Sequence, residues 1–189
     1  MPTVIETARL LLRQWTDQDV QAWADMNADP RVMEFFPGVM PRERSFEQAA
    51  LLRADLEKNG YGWFVMERKD RPGFAGVMAL DDIRHDMPFR PLREIGWRLP
   101  VESWGHGFAT EAASALLRYA FNELDWPEVI AMTAAINTRS RRVMERLGMT
   151  HDPSEDFDHP RVPDGMPIKR HVLYRATSFD ELRMTGSSG

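Results

Sequence analysis

Apolar and polar positions along the chain fall into alternating stretches of two periods. In Glu94-Ile-Gly-Trp-Arg-Leu99, Ile95, Trp97 and Leu99 alternate with Glu94, Gly96 and Arg98, which predicts a strand with two unlike faces. Pro100 ends it, Gly105-His-Gly107 turns the backbone, and from Phe108 the spacing becomes helical through Ala109, Ala112, Ala113, Leu116, Ala120 and Phe121. Earlier in the chain, Arg9 to Arg13 reads as a first strand. Thr16-Asp-Gln-Asp19 has capping-box form and opens a helix through about Asn27, which Pro30 breaks. Ser45-Phe-Glu-Gln48 predicts a second capping box and a helix over Phe46 to Asn59, stopped by Gly60. Tyr61 to Arg68 and Phe74 to Ile83 predict two strands around the Asp70-Arg-Pro-Gly73 turn, and the prolines of 84–93 predict a loop. After the central helix come a strand from Val129 to Ala135, a short helix capped by Asn137 and stopped by Gly148, a long loop over 152–169, and a closing strand from His171 to Arg175. The predicted order is strand, two helices, three strands, helix, strand, helix, strand. It fits an α/β fold, a mixed sheet with helices on both faces.

The glycine turn is the first place where chemistry enters. A turn that delivers the chain into a helix points unpaired N–H groups outward at the positive end of the helix dipole, a setting that suits phosphate. Phe108-Ala109 stands where a P-loop needs Lys-Ser/Thr, and Thr110 stands where a dinucleotide fingerprint needs its last glycine, so neither motif fits. The alternative is that Gly105 and Gly107 only make a tight connection. A second stretch, Asn137-Thr-Arg-Ser140-Arg-Arg-Val-Met144-Glu-Arg-Leu147-Gly148-Met149, follows the later strand and carries its apolar face on Val143, Met144 and Leu147.

Composition narrows the function classes. The 189 residues have the length of one domain, expected over 1–177, with a tail over 178–189 ending in Gly186-Ser-Ser-Gly189. A net charge of −5 argues against a general nucleic-acid binder and favours cationic partners. With no cysteine, thiol catalysis, disulfides and thiolate metal sites are excluded. The five histidines show no metal-ligand spacing, so no metal is expected. No apolar run approaches a membrane span and no signal-peptide pattern opens the chain, so the expectation is a cytoplasmic protein that does not engage membranes.

Together, Trp104-Gly-His-Gly-Phe-Ala-Thr-Glu-Ala112 and Asn137-x-x-Ser-x-x-Val-Met-Glu-Arg-Leu-Gly-Met149 resemble the GNAT N-acetyltransferases. The likeness is to the branch of the ribosomal-protein N-terminal acetyltransferases RimJ and RimL, and it spans about Glu6 to Arg175. It implies the GNAT fold, in which two neighbouring central strands splay apart to admit acetyl-CoA, and transfer of an acetyl group to a primary amine of a small molecule, an amino acid or a protein N-terminus. On the resemblance, backbone N–H groups of Gly105, His106, Gly107, Phe108 and Ala109 would hold the pyrophosphate. The backbone around Leu99 to Val101 would pair with the pantetheine arm, and Asn137 would bond it, although Asn137 is also the helix cap. The family's Gln or Arg at the start of the turn motif is here Glu102, whose side chain is expected to point away. Arg139, Arg141 and Arg142 would meet the 3′-phosphate or face solvent.

Aminolysis of a thioester needs a neutral amine, a donor to the developing oxyanion and an acid for the leaving thiolate. Glu94 is the candidate base, with Glu67 and Glu34 as alternatives; an exposed carboxylate pairing with Arg93 or Arg98 is the competing reading. A backbone N–H near Leu99 would be the oxyanion donor. Many GNAT members place a tyrosine acid where Met144 stands, which moves that role to Ser140 or water. The Val32 to Pro41 stretch is either a wall of the acceptor pocket or core. Asp152-Pro-Ser-Glu-Asp-Phe-Asp158 sets four carboxylates at the expected mouth, with His159 beside them, either for a cationic acceptor or as a solvated loop. A non-catalytic CoA-binding regulatory domain is the rival reading, and a homodimer is compatible with the sequence.

Overall fold

A computed structural model describes residues 3–177. In chain order the elements are β1 (Ile5–Glu6), β2 (Leu10–Arg13), α1 (Asp17–Ala28), α2 (Arg42–Asn59), β3 (Trp63–Arg68), β4 (Phe74–Asp82), β5 (Arg93–Arg98), α3 (Phe108–Asn122), β6 (Val129–Ala134), α4 (Thr138–Arg146), β7 (Thr150–His151), β8 (Phe157–Asp158) and β9 (Arg170–Ala176). They build a nine-stranded sheet ordered β1-β2-β3-β4-β5-β6-β9-β7, with β8 also on β9. All neighbours are antiparallel except β5 and β6. The elements expected from periodicity are all present. The additional strands β1, β7 and β8 are two residues each, too short to show a period. The expected tail over 178–189 lies outside the described residues.

Side-chain alternation assigns the two faces of the sheet. On β3, Glu67 reaches Arg13, which is itself bound to Asp19 of α1, and Trp63 packs edge-on against Trp23 of α1. Arg68, one position on, instead lies over Phe108 of α3. Helices therefore cover both faces, and the core runs through the sheet from Leu10, Leu12, Phe64 and Ile95 to Leu116, Leu117 and Val129, all nearly inaccessible.

The α1 cap forms as expected: the Thr16 N–H donates to Asp19 Oδ2 at 2.6 Å, and the Thr16 hydroxyl donates to the same oxygen at 2.7 Å. The second capping box does not. Helix α2 begins at Arg42, directly after Pro41, so Ser45 lies inside the helix. Ser45 is fully buried, and its hydroxyl accepts from Asn27 Nδ2 at 3.2 Å. Proline's fixed φ starts the helix before a hydroxyl cap is needed. Gly60 ends α2 at φ 75°, as expected.

Candidate active site

The parallel pair β5 and β6 meets at one register, Glu94 opposite Ile130. Beyond it the two strands diverge, because β5 continues its antiparallel ladder with β4 as far as Val77↔Arg98 while β6 pairs along its length with β9. The divergence opens a cleft between Gly96–Leu99 on one side and Met132–Ala135 on the other. Gly76 helps set the β5 flank: its φ is 140°, and a Cβ there would lie 2.9 Å from Arg98 O. A side chain at 76 would push β4 off the end of β5.

At the end of that cleft, Gly105 and Gly107 have φ values of 76° and 78°, which disfavour any side chain at either position. A Cβ at Gly105 would meet nothing within 4 Å, so backbone conformation alone calls for glycine there. The first bond of α3 runs from the Glu111 N–H to Gly107 O at 3.1 Å, which leaves the N–H groups of Phe108, Ala109 and Thr110 ahead of the helix's own ladder. Gly105, His106 and Gly107 are exposed. His106 stacks on Phe108 with ring centroids 5.4 Å apart, and Glu102 is exposed. This donor set fits an anionic diphosphate.

A brace that the sequence did not reveal fixes the turn. Arg9 Nη1 donates to His106 O at 3.0 Å and Arg9 Nε to Glu111 Oε2 at 2.6 Å. The Thr7 hydroxyl and the Arg9 N–H both donate to Glu111 Oε1. The N-terminal strands are thus tied to the first turn of α3, a pairing across about a hundred residues that carries no local signal.

Across the cleft, Asn137 caps α4 by accepting from the Ser140 N–H at 3.2 Å, and its Nδ2 donates to Thr133 Oγ1 at 2.9 Å and to Ser140 Oγ at 3.1 Å. On the β5 side, Leu99 O accepts from Trp104 Nε1 at 2.8 Å and Val101 O from the Trp104 N–H at 3.1 Å. The carbonyls of Leu99 and Val101 each accept a bond from within the chain.

Glu94 lies on the α1–α2 face of β5, directly opposite Asp81 of β4. Burial and the Asp81 carboxylate push the Glu94 carboxyl up to about 8. Burial likewise raises Asp81, against hydrogen bonds that include Trp63 Nε1 at 3.1 Å. Glu67 and Glu34 are each held by a guanidinium, Arg13 at 2.7 Å and Arg139 at 2.6 Å. Glu94 has no cationic partner among the described residues, so the pairing with Arg93 or Arg98 that was the competing reading is not formed. Arg98 instead donates to Asn27 Oδ1 at 2.6 Å, and Arg93 lies over Trp126.

The chain is similar to known proteins. Residues 9–150 match the model of the acetyltransferase (GNAT) domain. The chain belongs to the GNAT family. It is an acetyl-CoA-dependent N-acetyltransferase of that family, similar to the FsC-acetyl coenzyme A-N(2)-transacetylase of Aspergillus fumigatus at 29% identity, over 95% of this chain and 78% of that protein. An acetyltransferase of the GNAT family from Bacillus anthracis superposes with a TM-score of 0.76 at 27% identity, over 93% of this chain and 98% of that one. The fold is also that of RimL, the ribosomal L7/L12 alpha-N-protein acetyltransferase solved with coenzyme A, with a TM-score of 0.74 at 17% identity over 94% and 99% of the two chains.

Several sequence expectations change within this GNAT frame. The acidic stretch does not present four free carboxylates. Asp152 caps the Pro153–Glu155 turn through the Ser154 N–H, Glu155 binds Arg175 at 2.6 Å, Asp156 meets His151 at 2.8 Å, and Asp158 lies 3.5 Å from Arg170. These groups fasten the loop to β7 and β9. Arg139 crosses to Glu34 and lies over the rings of Trp104 and Phe35 at 4.4 and 5.4 Å, and Arg141 Nη1 donates to Ala135 O at 3.1 Å, whereas Arg142 is exposed. Phe35 packs against Ala134, Val162 and Ile168, so the Val32 to Pro41 stretch spans the cleft from above β5 to α4. His159 joins His171 and His85, with ring centroids 4.7 and 5.9 Å away, and burial with these neighbours pulls it down to about 4.

Proposed function

We propose that this GNAT chain moves the acetyl group of acetyl-CoA to a primary amine by direct attack in the β5–β6 cleft. The observation that carries the reading is the divergence of β5 and β6 beyond Glu94↔Ile130, with the Gly105–Gly107 turn at its end and Glu94 on its floor. The turn N–H groups of Gly105 to Ala109 hold the pyrophosphate, and the N–H groups of Leu99 and Val101 pair with the pantetheine arm. Asn137 fixes Ser140 beside that arm. A Leu99 N–H, past the last rung of the β4–β5 ladder, donates to the thioester oxygen as it becomes negative.

The acceptor arrives as an ammonium and gives a proton to the Glu94 carboxylate. Its nitrogen then bonds the acetyl carbon and gives up its second excess proton as the carbon–sulfur bond breaks; that proton reaches sulfur by way of the Ser140 hydroxyl, which gives one proton and regains another, and Glu94 returns its own proton to solvent. Ser140 Oγ accepts from Asn137 Nδ2, so its own proton is available for sulfur. With the Glu94 carboxyl at about 8, roughly a tenth of it is ionised at neutral pH. Turnover should therefore rise as pH passes through about 8. Thiol release measured against an amine panel tests the reading: wild type should turn over with an acceptor class, and Glu94→Gln should lose about 10²- to 10⁴-fold in kcat. Undiminished turnover by Glu94→Gln would remove Glu94 from the mechanism.

A further inference from the structure

Glu94, Gly96 and Arg98 share one face of β5, and opposite them on β4 stand Asp81, Ala79 and Val77. The middle of this floor is nearly bare. Gly96 has no side chain, and a Cβ built there would lie 3.8 Å from that of Ala79. Its two ends differ in chemistry, carboxyl at one and guanidinium at the other. At one end Asp81 and Glu94 stand side by side, and the nearest cation, Arg84, is 4.0 Å from Asp81. At the other end is Arg98, with no carboxylate partner among the described residues.

Arg98 is an unusual guanidinium. It sits between the rings of Phe36 and Trp23, 4.3 and 5.1 Å from their centroids, and donates to the neutral amide oxygen of Asn27. Its Nε is buried without an acceptor. Five N–H donors surround that charge, and a desolvated cation without an anion is costly to keep. Asn27, Trp23 and Phe36 hold it in place, but neutralise none of its charge. Arg98 lies four positions along the strand from Glu94, about 13 Å between Cα atoms, a span that two long side chains and the two charged ends of one amino acid cover together.

We propose that the acceptor is zwitterionic, an α-amino acid or a close relative, with its carboxylate on Arg98 and its amine over Gly96 toward Glu94. This rests on the acetyl-transfer reading of the same cleft and narrows its substrate class. A protein N-terminus has a peptide bond where the carboxylate would sit, and a polyamine has a second cation there. Each leaves Arg98 unpaired.

The test is calorimetric titration of the CoA-loaded chain with the standard amino acids and with the amines obtained from them by decarboxylation. The expected result is that the preferred amino acid binds about 10- to 100-fold more tightly than its matched amine. Arg98→Met should abolish that difference without weakening the amine. Arg98→Lys, which keeps the charge and the contact to Asn27, should retain part of it. Retained CoA binding shows that each variant is folded, and the wild-type comparison needs no variant. Equal or tighter binding of the amines would overturn the proposal, as would an Arg98→Met variant that weakens both ligands alike, or binding by no amino acid. Failure to bind CoA at all would instead strike the acetyl-transfer reading beneath it.

Discussion

Glu94 combines two properties that seldom coexist on a central strand: a like charge opposite it and no cationic partner among the described residues. The pH dependence of kcat is where this shows. A limb rising through about 8 in wild type should disappear in Glu94→Gln. The glycine turn makes a different prediction at the same scale. Gly107→Val should cost about 1–2 kcal/mol in backbone strain at φ 78° and raise the KM for acetyl-CoA more than that for the amine. Steady-state kinetics with each substrate varied separately measures both. The alternation around Ile95 made Glu94, Gly96 and Arg98 legible as one face. Asp81 was not legible, because which β4 residue stands opposite Glu94 depends on a register that no local pattern carries.

Among the elements, α1 shows both how far local rules reach and where they stop. The Thr16 cap is local and was readable. The same Asp19 carboxylate also binds Arg13 at 2.8 Å, and Arg13 binds Glu67 of β3, a three-group network with Asp19 almost wholly buried. Burial alone would raise the Asp19 carboxyl, but hydrogen bonds from Arg13 and Thr16 outweigh it and hold it below the usual carboxylate range. Arg13→Met should therefore cost about 3–5 kcal/mol, read as a fall in the denaturant midpoint, since it strands a buried carboxylate. Ser45 is the instructive failure. Its spacing to Gln48 satisfies the capping rule, yet the helix starts at Arg42 and the hydroxyl faces Asn27. Asn27 in turn holds Arg98, so a residue that reads as a cap belongs to the support of the cleft floor.

For the whole molecule, the order of elements and the two motifs made the fold legible, because strand and helix periods are local. The splay of β5 from β6 was expected only through the family resemblance, and the Arg9–Glu111 brace and the Arg139–Glu34 bridge were not legible at all, since each joins residues far apart in sequence. The same long-range packing sets stability against pH. Glu94 and Asp81 hold their protons more tightly folded than unfolded, so their contribution is fully present below the ordinary carboxyl range. For Glu94 it is lost as pH rises from about 4.5 to about 8. Histidine 159 works in the opposite sense, costing stability as pH falls from about 6.5 to about 4. Glu94→Gln should thus melt higher than wild type above pH 8, by a shift worth on the order of 1–3 kcal/mol, and no higher below the ordinary carboxyl range, at about pH 3.5. Thermal melts at the two pH values decide it.

The most direct test of the cleft as the seat of acetyl transfer is calorimetric titration of the chain with acetyl-CoA, beside the same titration of Gly107→Trp. Wild type should bind about one equivalent in the micromolar range typical of such cosubstrates, and the indole at 107, filling the space before the α3 N–H groups, should abolish it. Binding that survives Gly107→Trp, or no binding by wild type, would contradict the placement of the cosubstrate between β5 and β6.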